Sequence, residues 1–223
     1  MAAIKINNKT VQRIYKGADE VKAIYKGNVK IWERDFNSDK FHALCPAATA
    51  TAVTFDYTSA HDLSALTFCG WVDLAETMGV YNSGTEYFVL SENEIRPRSC
   101  KGMFKNYSML TTIIFNNFSL SQCIILSDMF YSCRSLTSLD LSGWDTSAVT
   151  IMTYMFGMCS LLTSIYMLTN PVIDNKASTG LMFEGCTSIR GGNGTPYNRS
   201  YRDKTYFRID TPETPGYLTL KNT

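Results

Sequence analysis

The sequence predicts an α/β fold: a short solenoid of strand-plus-helical-turn units repeating about every 26 residues, preceded by a small β segment and closed by a C-terminal cap. Three observations carry this expectation. A Met-Phe pair recurs at Met103-Phe104, Met129-Phe130, Met155-Phe156 and Met182-Phe183, in steps of 26, 26 and 27 residues. Three positions past each Phe stand Tyr107, Cys133, Cys159 and Cys186. The same frame aligns Ser-Met-Leu-Thr-Thr-Ile at 108–113, Arg-Ser-Leu-Thr-Ser-Leu at 134–139 and Ser-Leu-Leu-Thr-Ser-Ile at 160–165, with Phe118 and Trp144 in register beyond. A unit this short cannot bury its apolar face alone, so neighbours must stack into one core.

Each unit divides into two halves. The first alternates: Leu139 and Leu141 face one way and Ser138, Asp140 and Ser142 the other, as a strand requires. Ile113 with Phe115, and Ile165 with Met167, repeat that pattern. The second half places Val149, Met152, Met155, Phe156 and Cys159 at steps of three, three, one and three, which predicts one face of a helical turn capped by Asp145 or Ser147.

The string SLTSLDLSGWDTSAVTIMTYMFGMCSLLTSI resembles the BspA-type leucine-rich repeat, also described as the mycoplasma-type surface-protein repeat, with its Leu-Asp-Leu-Ser-x-Trp-Asp-Thr-Ser and Met-Phe-x-x-Cys pattern. The resemblance covers residues 103–190. Residues 186–220 are similar to the Gly-Gly-Asn-Gly-Thr and Asp-Lys-Thr-Tyr ending that closes such arrays in gut-bacterial proteins and their phages. That implies a cap over residues 191–223, a reasonable need where a last unit exposes apolar side chains and strand edges. Stepping back 26 residues from Phe104 puts Met78 near the Met-Phe site, Tyr81 at the cysteine position and Tyr87 with Val89 in a strand, which suggests one degenerate unit. Residues 37–102 are therefore expected to form an N-terminal cap or transition layer around it.

Residues 1–36 carry a shorter repeat: Arg-Ile-Tyr-Lys-Gly at 13–17 returns as Ala-Ile-Tyr-Lys-Gly at 23–27. β-branched and aromatic residues meeting a Lys-Gly turn read as small antiparallel strands. The module resembles short segments of phage tail and other virion proteins. On that resemblance Ile14, Tyr15, Ile24, Tyr25 and Trp32 are the candidate virion-attachment residues.

Composition narrows the function. Lys plus Arg (21) nearly balance Asp plus Glu (20), so no cationic field for nucleic acid or anionic membrane is expected. No stretch reaches the roughly 18 apolar residues of a membrane span, and the charged N-terminus does not read as a secretory signal, which predicts synthesis in the cytoplasm. The cysteines are seven, an odd number without Cys-x-x-Cys spacing, and are read as small buried hydrophobes.

No motif promises catalysis. His42 and His61 are the only histidines, and neither lies in a triad-like context. Asp140 with Asp145 or Asp128 are the nearest thing to a glycosidase pair, but they are ordinary members of the repeat on a strand and a cap. Gly191-Gly192-Asn193-Gly194 lacks a following Gly-Lys-Ser/Thr and reads as a turn. No enzyme, metal or cofactor is expected.

The informative surface is the outward column of the repeat strands: Thr112, Ser138 and Ser164; Ile114, Asp140 and Tyr166; Asn116, Ser142 and Leu168. Ile114, Tyr166 and Leu168 would stand in water there unless something covers them. These readings together predict a non-enzymatic phage virion structural protein, in a tail, fibre or capsid-fibre position, presenting the repeat face. Its partners would be other virion proteins or a host-surface protein or glycan, and a homo-oligomer, trimeric as many fibres are, would suit that role. The alternative is a BspA-like adhesin or protein-interaction module at a bacterial cell surface.

Overall fold

The computed structural model describes residues 3–6, 9–16, 19–26, 29–31, 38–72 and 78–222, with side chains from Asp39 onward apart from that of Trp71. Backbone contacts divide the chain into two units, Met1–Asp35 and Phe36–Thr223. The first is an antiparallel meander of β1 (Ala3–Ile6), β2 (Lys9–Lys16), β3 (Asp19–Lys26) and β4 (Val29–Ile31). The two Ile-Tyr-Lys copies lie on β2 and β3, where Ile14 opposes Val21 and Tyr15 opposes Glu20, while Ile24 and Tyr25 oppose Ile31 and Lys30 of β4. Trp32 lies outside the described residues.

The second unit does not form the expected α/β strand-plus-helix solenoid. Its described residues make small β-sheets with very little helix. The single α-helix among them, α1 (Ser38–Leu44), lies upstream of the repeats. A five-stranded mixed sheet runs in the order β6 (Thr67–Trp71), β7 (Met78–Ser83), β8 (Glu86–Ser91), β5 (Ala52–Tyr57), β9 (Thr112–Phe115). A three-stranded parallel sheet holds β10 (Ser138–Asp140), β11 (Ser164–Met167) and β12 (Leu218–Leu220). Tyr87 and Val89, on β8, pair with Val53 and Phe55, so β5 rather than β8 lies beside the first repeat strand.

The segments read as helical are runs of turns, and the backbone shows why. Each repeat holds two residues with left-handed φ: Gly102 and Asn106, Asp128 and Ser132, Tyr154 and Met158, Leu181 and Gly185. A left-handed residue at every fourth step halts the right-handed spiral before i to i−4 bonds can propagate. Successive amides then alternate between two kinds of partner. Met155 N–H donates to the Met152 carbonyl of its own turn and Phe156 N–H to Met182 of the next repeat (3.2 and 2.9 Å). Gly157 N–H returns to Tyr154 and Met158 N–H crosses to Glu184. The same alternation runs through residues 102–107 and 128–133. Neighbouring repeats are therefore joined by backbone bonds along the turns as well as the strands.

Non-glycine residues pay for that left-handed geometry, since each costs roughly 1 kcal/mol or more there. Ser132 (φ 60°) is buried, so its side chain has no solvent to recommend it. Ser132→Gly is expected to stabilise the fold by about 0.5 kcal/mol and Ser132→Val to cost about 2 kcal/mol, because branching at Cβ is worst tolerated at positive φ. Denaturant titration of the two variants checks the opposite signs.

The apolar halves of the repeats form one core. Phe104, Phe130, Phe156 and Phe183 stack face to face with centroid separations of 5.7, 5.6 and 5.3 Å. The cysteines run beside them, and each thiol donates to the Phe carbonyl of the preceding repeat: Cys133 to Phe104, Cys159 to Phe130 and Cys186 to Phe156, at 3.1, 2.9 and 2.9 Å. At the upstream end Tyr107 takes the cysteine's place and its hydroxyl donates to the Cys45 carbonyl at 2.5 Å. There α1 covers the stack: Phe41 meets Phe104 edge-on and Tyr107 face-on. Phe41 and Cys45 are a helical step apart and both buried, and Pro46 ends the helix.

The downstream end is closed by residues 191–222. Phe207 and Tyr217 pack on Phe183 (6.1 and 5.0 Å), and β12 extends the parallel sheet. Asp210 pins this segment. Its carboxylate accepts the amides of Asn193, Thr195 and Gly216 and the Thr195 hydroxyl, at 2.6 to 3.1 Å. Burial alone would raise its pKa, but these donors outweigh burial and hold the carboxyl below the usual range. An acid with a depressed folded pKa contributes fully above its unfolded value, near about 3.9, and loses that contribution as pH falls through the folded value. Asp210→Asn is expected to cost about 2 kcal/mol at neutral pH, since an amide N–H would face an N–H donor. Its melting temperature should also fall less than that of the parent on acidification through about pH 4 to 2, which thermal melts across that range compare directly.

Candidate functional site

Alternation in β9, β10 and β11 puts Ile113, Leu139, Ile165 and Met167 in the core and leaves their neighbours outside. Thr112, Asn116, Ser138 and Asp140 are exposed, as are Ile114 and Leu168 at 41% and 42%, while Ser142, Ser164 and Tyr166 are half-buried. The structure brings only part of the expected column into register. Ser138 lies beside Ser164 and Asp140 beside Tyr166, and Thr219 of β12 continues the row. Thr112 and Ile114 pair instead with Ala52 and Thr54, because β9 belongs to the other sheet. Asn116 reaches back to the Asp56 carboxylate.

Electrostatics on this face are local. Lys221, which sequence reading passed over, places its Nζ 2.5 Å from Asp140. The Ser142 hydroxyl and amide also donate to Asp140. Slight burial pushes the Asp140 pKa up, but Lys221 and Ser142 prevail and hold it low, so the carboxylate is charged and paired. Ser147 donates to Asp145, and its side chain first and amide second lower the Asp145 pKa. Asp128 pairs with Lys105 at 3.2 Å. Each of the three carboxylates thus has its own partner.

Both histidines are engaged in the upstream layer, His42 with the Met103 carbonyl and His61 with Asp56. Burial raises the Cys45 thiol to about 12 and those of Cys100, Cys133 and Cys186 well above the usual range, so these are neutral side chains with a packing role. Among the described residues no three His, Cys, Asp or Glu side chains gather as metal ligands. No described helix is long and apolar enough to cross a membrane. Gly191 to Gly194 forms a turn clamped on Asp210.

Sequence reading missed a concavity on the turn side of the repeats. A groove of about 470 Å³ runs along the turns of successive repeats, lined by Tyr131, Tyr154, Met158 and Leu181 with Lys105 and Asp128 to one side and Glu184 and Arg202 to the other. The side chains come from the positions around each Met-Phe pair that differ from repeat to repeat. That column could have been found in the sequence by asking where the aligned units disagree.

The second unit is thus a repeat-built β structure with covered ends and an outer surface that varies from repeat to repeat. Residues 97–194 match the family described as Mycoplasma protein of unknown function, DUF285, which supports the mycoplasma-type kinship of the repeats and leaves the N-terminal segment outside it. No curated protein and no solved structure matches the chain.

Proposed function

We propose that this chain is a non-enzymatic attachment protein whose second unit presents the strand face of β10 to β12 to a protein or host-surface partner. The observation that carries the reading is the make-up of that face. Ser138 and Ser164, then Asp140, Tyr166 and Thr219, sit on backbone fixed by parallel pairing, with the Lys221 ammonium on Asp140 and Leu168 exposed beyond the end of β11. Varied polar groups beside exposed apolar ones on a rigid ladder suit specific recognition.

The N-terminal meander, a unit of its own, supports a docking role in a larger assembly, with a virion as the proposed one. The family match over 97–194 favours a second placement, on a bacterial surface. Particles and cell envelopes from the source culture, separated on a density gradient and searched for peptides of this chain, distinguish them. Stoichiometric recovery with particles supports the virion, recovery with envelopes alone supports the adhesin, and recovery only as free protein overturns attachment.

A further inference from the structure

The turn-side groove is a different surface from the strand face, and we infer that it is a saccharide-binding site, formed by Tyr131 and Tyr154 and flanked by the Lys105–Asp128 and Arg202–Glu184 pairs. The groove's backbone has little left to offer a ligand: the amides of Asp128, Phe130 and Ser132 are given to Thr153, Met155 and Gly157, and those of Tyr154, Phe156 and Met158 to Gly180, Met182 and Glu184. An extended peptide that adds to a sheet edge would find no free ladder here. Nor does the groove favour a strongly charged ligand. Each end carries one cation and one anion already in contact, so the local field nearly cancels.

What remains on offer are side-chain groups. Tyr131 and Tyr154 meet edge to face, with centroids 6.0 Å apart at 79°. Both are half-buried, and neither hydroxyl has a hydrogen-bond partner among the described residues. Lys105 lies 5.1 Å over the Tyr131 ring, and Met158 is 38% exposed. Aromatic faces present a surface for the C–H faces of a sugar ring. Carboxylate, guanidinium and ammonium groups a short distance away can bridge vicinal hydroxyls, which are both donors and acceptors. The volume falls in the range of small-ligand sites, and the groove is open to solvent.

The groove floor shows accommodation to the rings. Gly157 stands where the other repeats carry Lys105, Tyr131 and Glu184. A Cβ there would lie 2.8 Å from Tyr131 Cδ2 and 3.2 Å from Tyr154 Cδ1. Gly157 thus lets both tyrosines lie down against the turn. Tyr154 itself holds φ at 56°, a conformation that Asn adopts more readily than Tyr, so Tyr154→Asn removes the ring while suiting the backbone.

The test is a printed array of neutral and acidic oligosaccharides probed with the full chain, its Tyr154→Asn, Tyr131→Ala and Gly157→Ala variants, and, as control, Val172→Ala, an exposed position outside both the groove and the strand face. The expected result is binding to neutral sugars that changes little with salt, falls about tenfold in the two tyrosine variants, weakens in Gly157→Ala, and is retained in Val172→Ala. Far-ultraviolet circular dichroism and thermal melts show which variants remain folded; Tyr154→Asn in particular should melt at or above the parent. Absence of binding to any sugar, binding confined to charged sugars and abolished by salt, or binding indifferent to Tyr154→Asn in a folded chain would each overturn the assignment.

Discussion

Gly216→Ala is expected to destabilise the second unit by about 3 to 5 kcal/mol, and Gly191→Ala by a similar amount. A methyl group on Gly216 would land inside the Arg208 carbonyl oxygen and 2.9 Å from the Arg208 Cγ. One on Gly191 would strike the Gly216 carbonyl and the Asp210 carboxylate. Gly191 thus lies against Gly216, and Gly216 against Arg208, too closely for a Cβ on either glycine, and the Asp210 carboxylate binds beside them. Relief would require the cap to move away from β11, breaking the Leu218 and Thr219 pairings and uncovering Phe183. Gly143→Ala is the internal control, since nothing stands within 4 Å of a Cβ there and its effect should be a few tenths of a kcal/mol. Denaturant unfolding ranks the variants, and hydrogen exchange at Ile165 to Met167 reports whether the cap leaves first.

The repeat frame made the core legible. Every member of the Met-Phe column and each Cys at its third following position is buried, as are Leu139, Leu141, Ile165 and Met167 of the strands. The form taken by the second half of each unit was not. Val149, Met152 and Met155 recur every third residue, and that spacing serves a helical face and a chain of three-residue turns equally well. What separates the two is the left-handed φ at two positions per repeat. Glycine announces it only at Gly102 and Gly185, while Asp128, Ser132, Tyr154, Met158 and Leu181 carry it with no local signal. Tertiary bonds hold it: the amides of Gly102, Asn106, Asp128, Ser132, Tyr154 and Met158 donate to the next repeat, and that of Gly185 to the Tyr197 hydroxyl.

The candidate sites divide along the same line. Outward strand residues follow from alternation, so the positions of Ser138, Asp140, Ser164 and Tyr166 could be written down beforehand. Their company could not: β9 turns to β5, and Lys221 arrives at Asp140 from 81 residues away. The groove was hidden for a different reason. Its tyrosines occupy columns where Lys105, Gly157, Gly102 and Leu181 stand in other repeats, so periodicity suppresses rather than reveals it.

Phe130→Ala is expected to cost about 3 to 5 kcal/mol, the other large loss. Phe130 has ring neighbours on both sides, Phe104 at 5.7 Å and Phe156 at 5.6 Å, and Trp144 lies 6.2 Å away with its plane only 23° off. The backbone around it cannot close the gap, because the Phe130 amide and the Cys159 thiol on its carbonyl hold the repeats at fixed spacing. The lost ring therefore leaves a cavity that collapses little, which puts the cost at the upper part of the range. Phe130→Leu should recover much of it, at about 1 to 2 kcal/mol. The Trp144 indole supplies a second readout: its Nε1 is buried with no hydrogen-bond partner among the described residues, and a cavity beside it admits water to that N–H. The folded Phe130→Ala variant should accordingly emit at longer wavelength than the parent, while Phe130→Leu should not. A loss under about 1 kcal/mol with unchanged emission would mean that the aromatic column can repack around a missing member, and that the rung-to-rung bonds do not hold the repeats at fixed spacing.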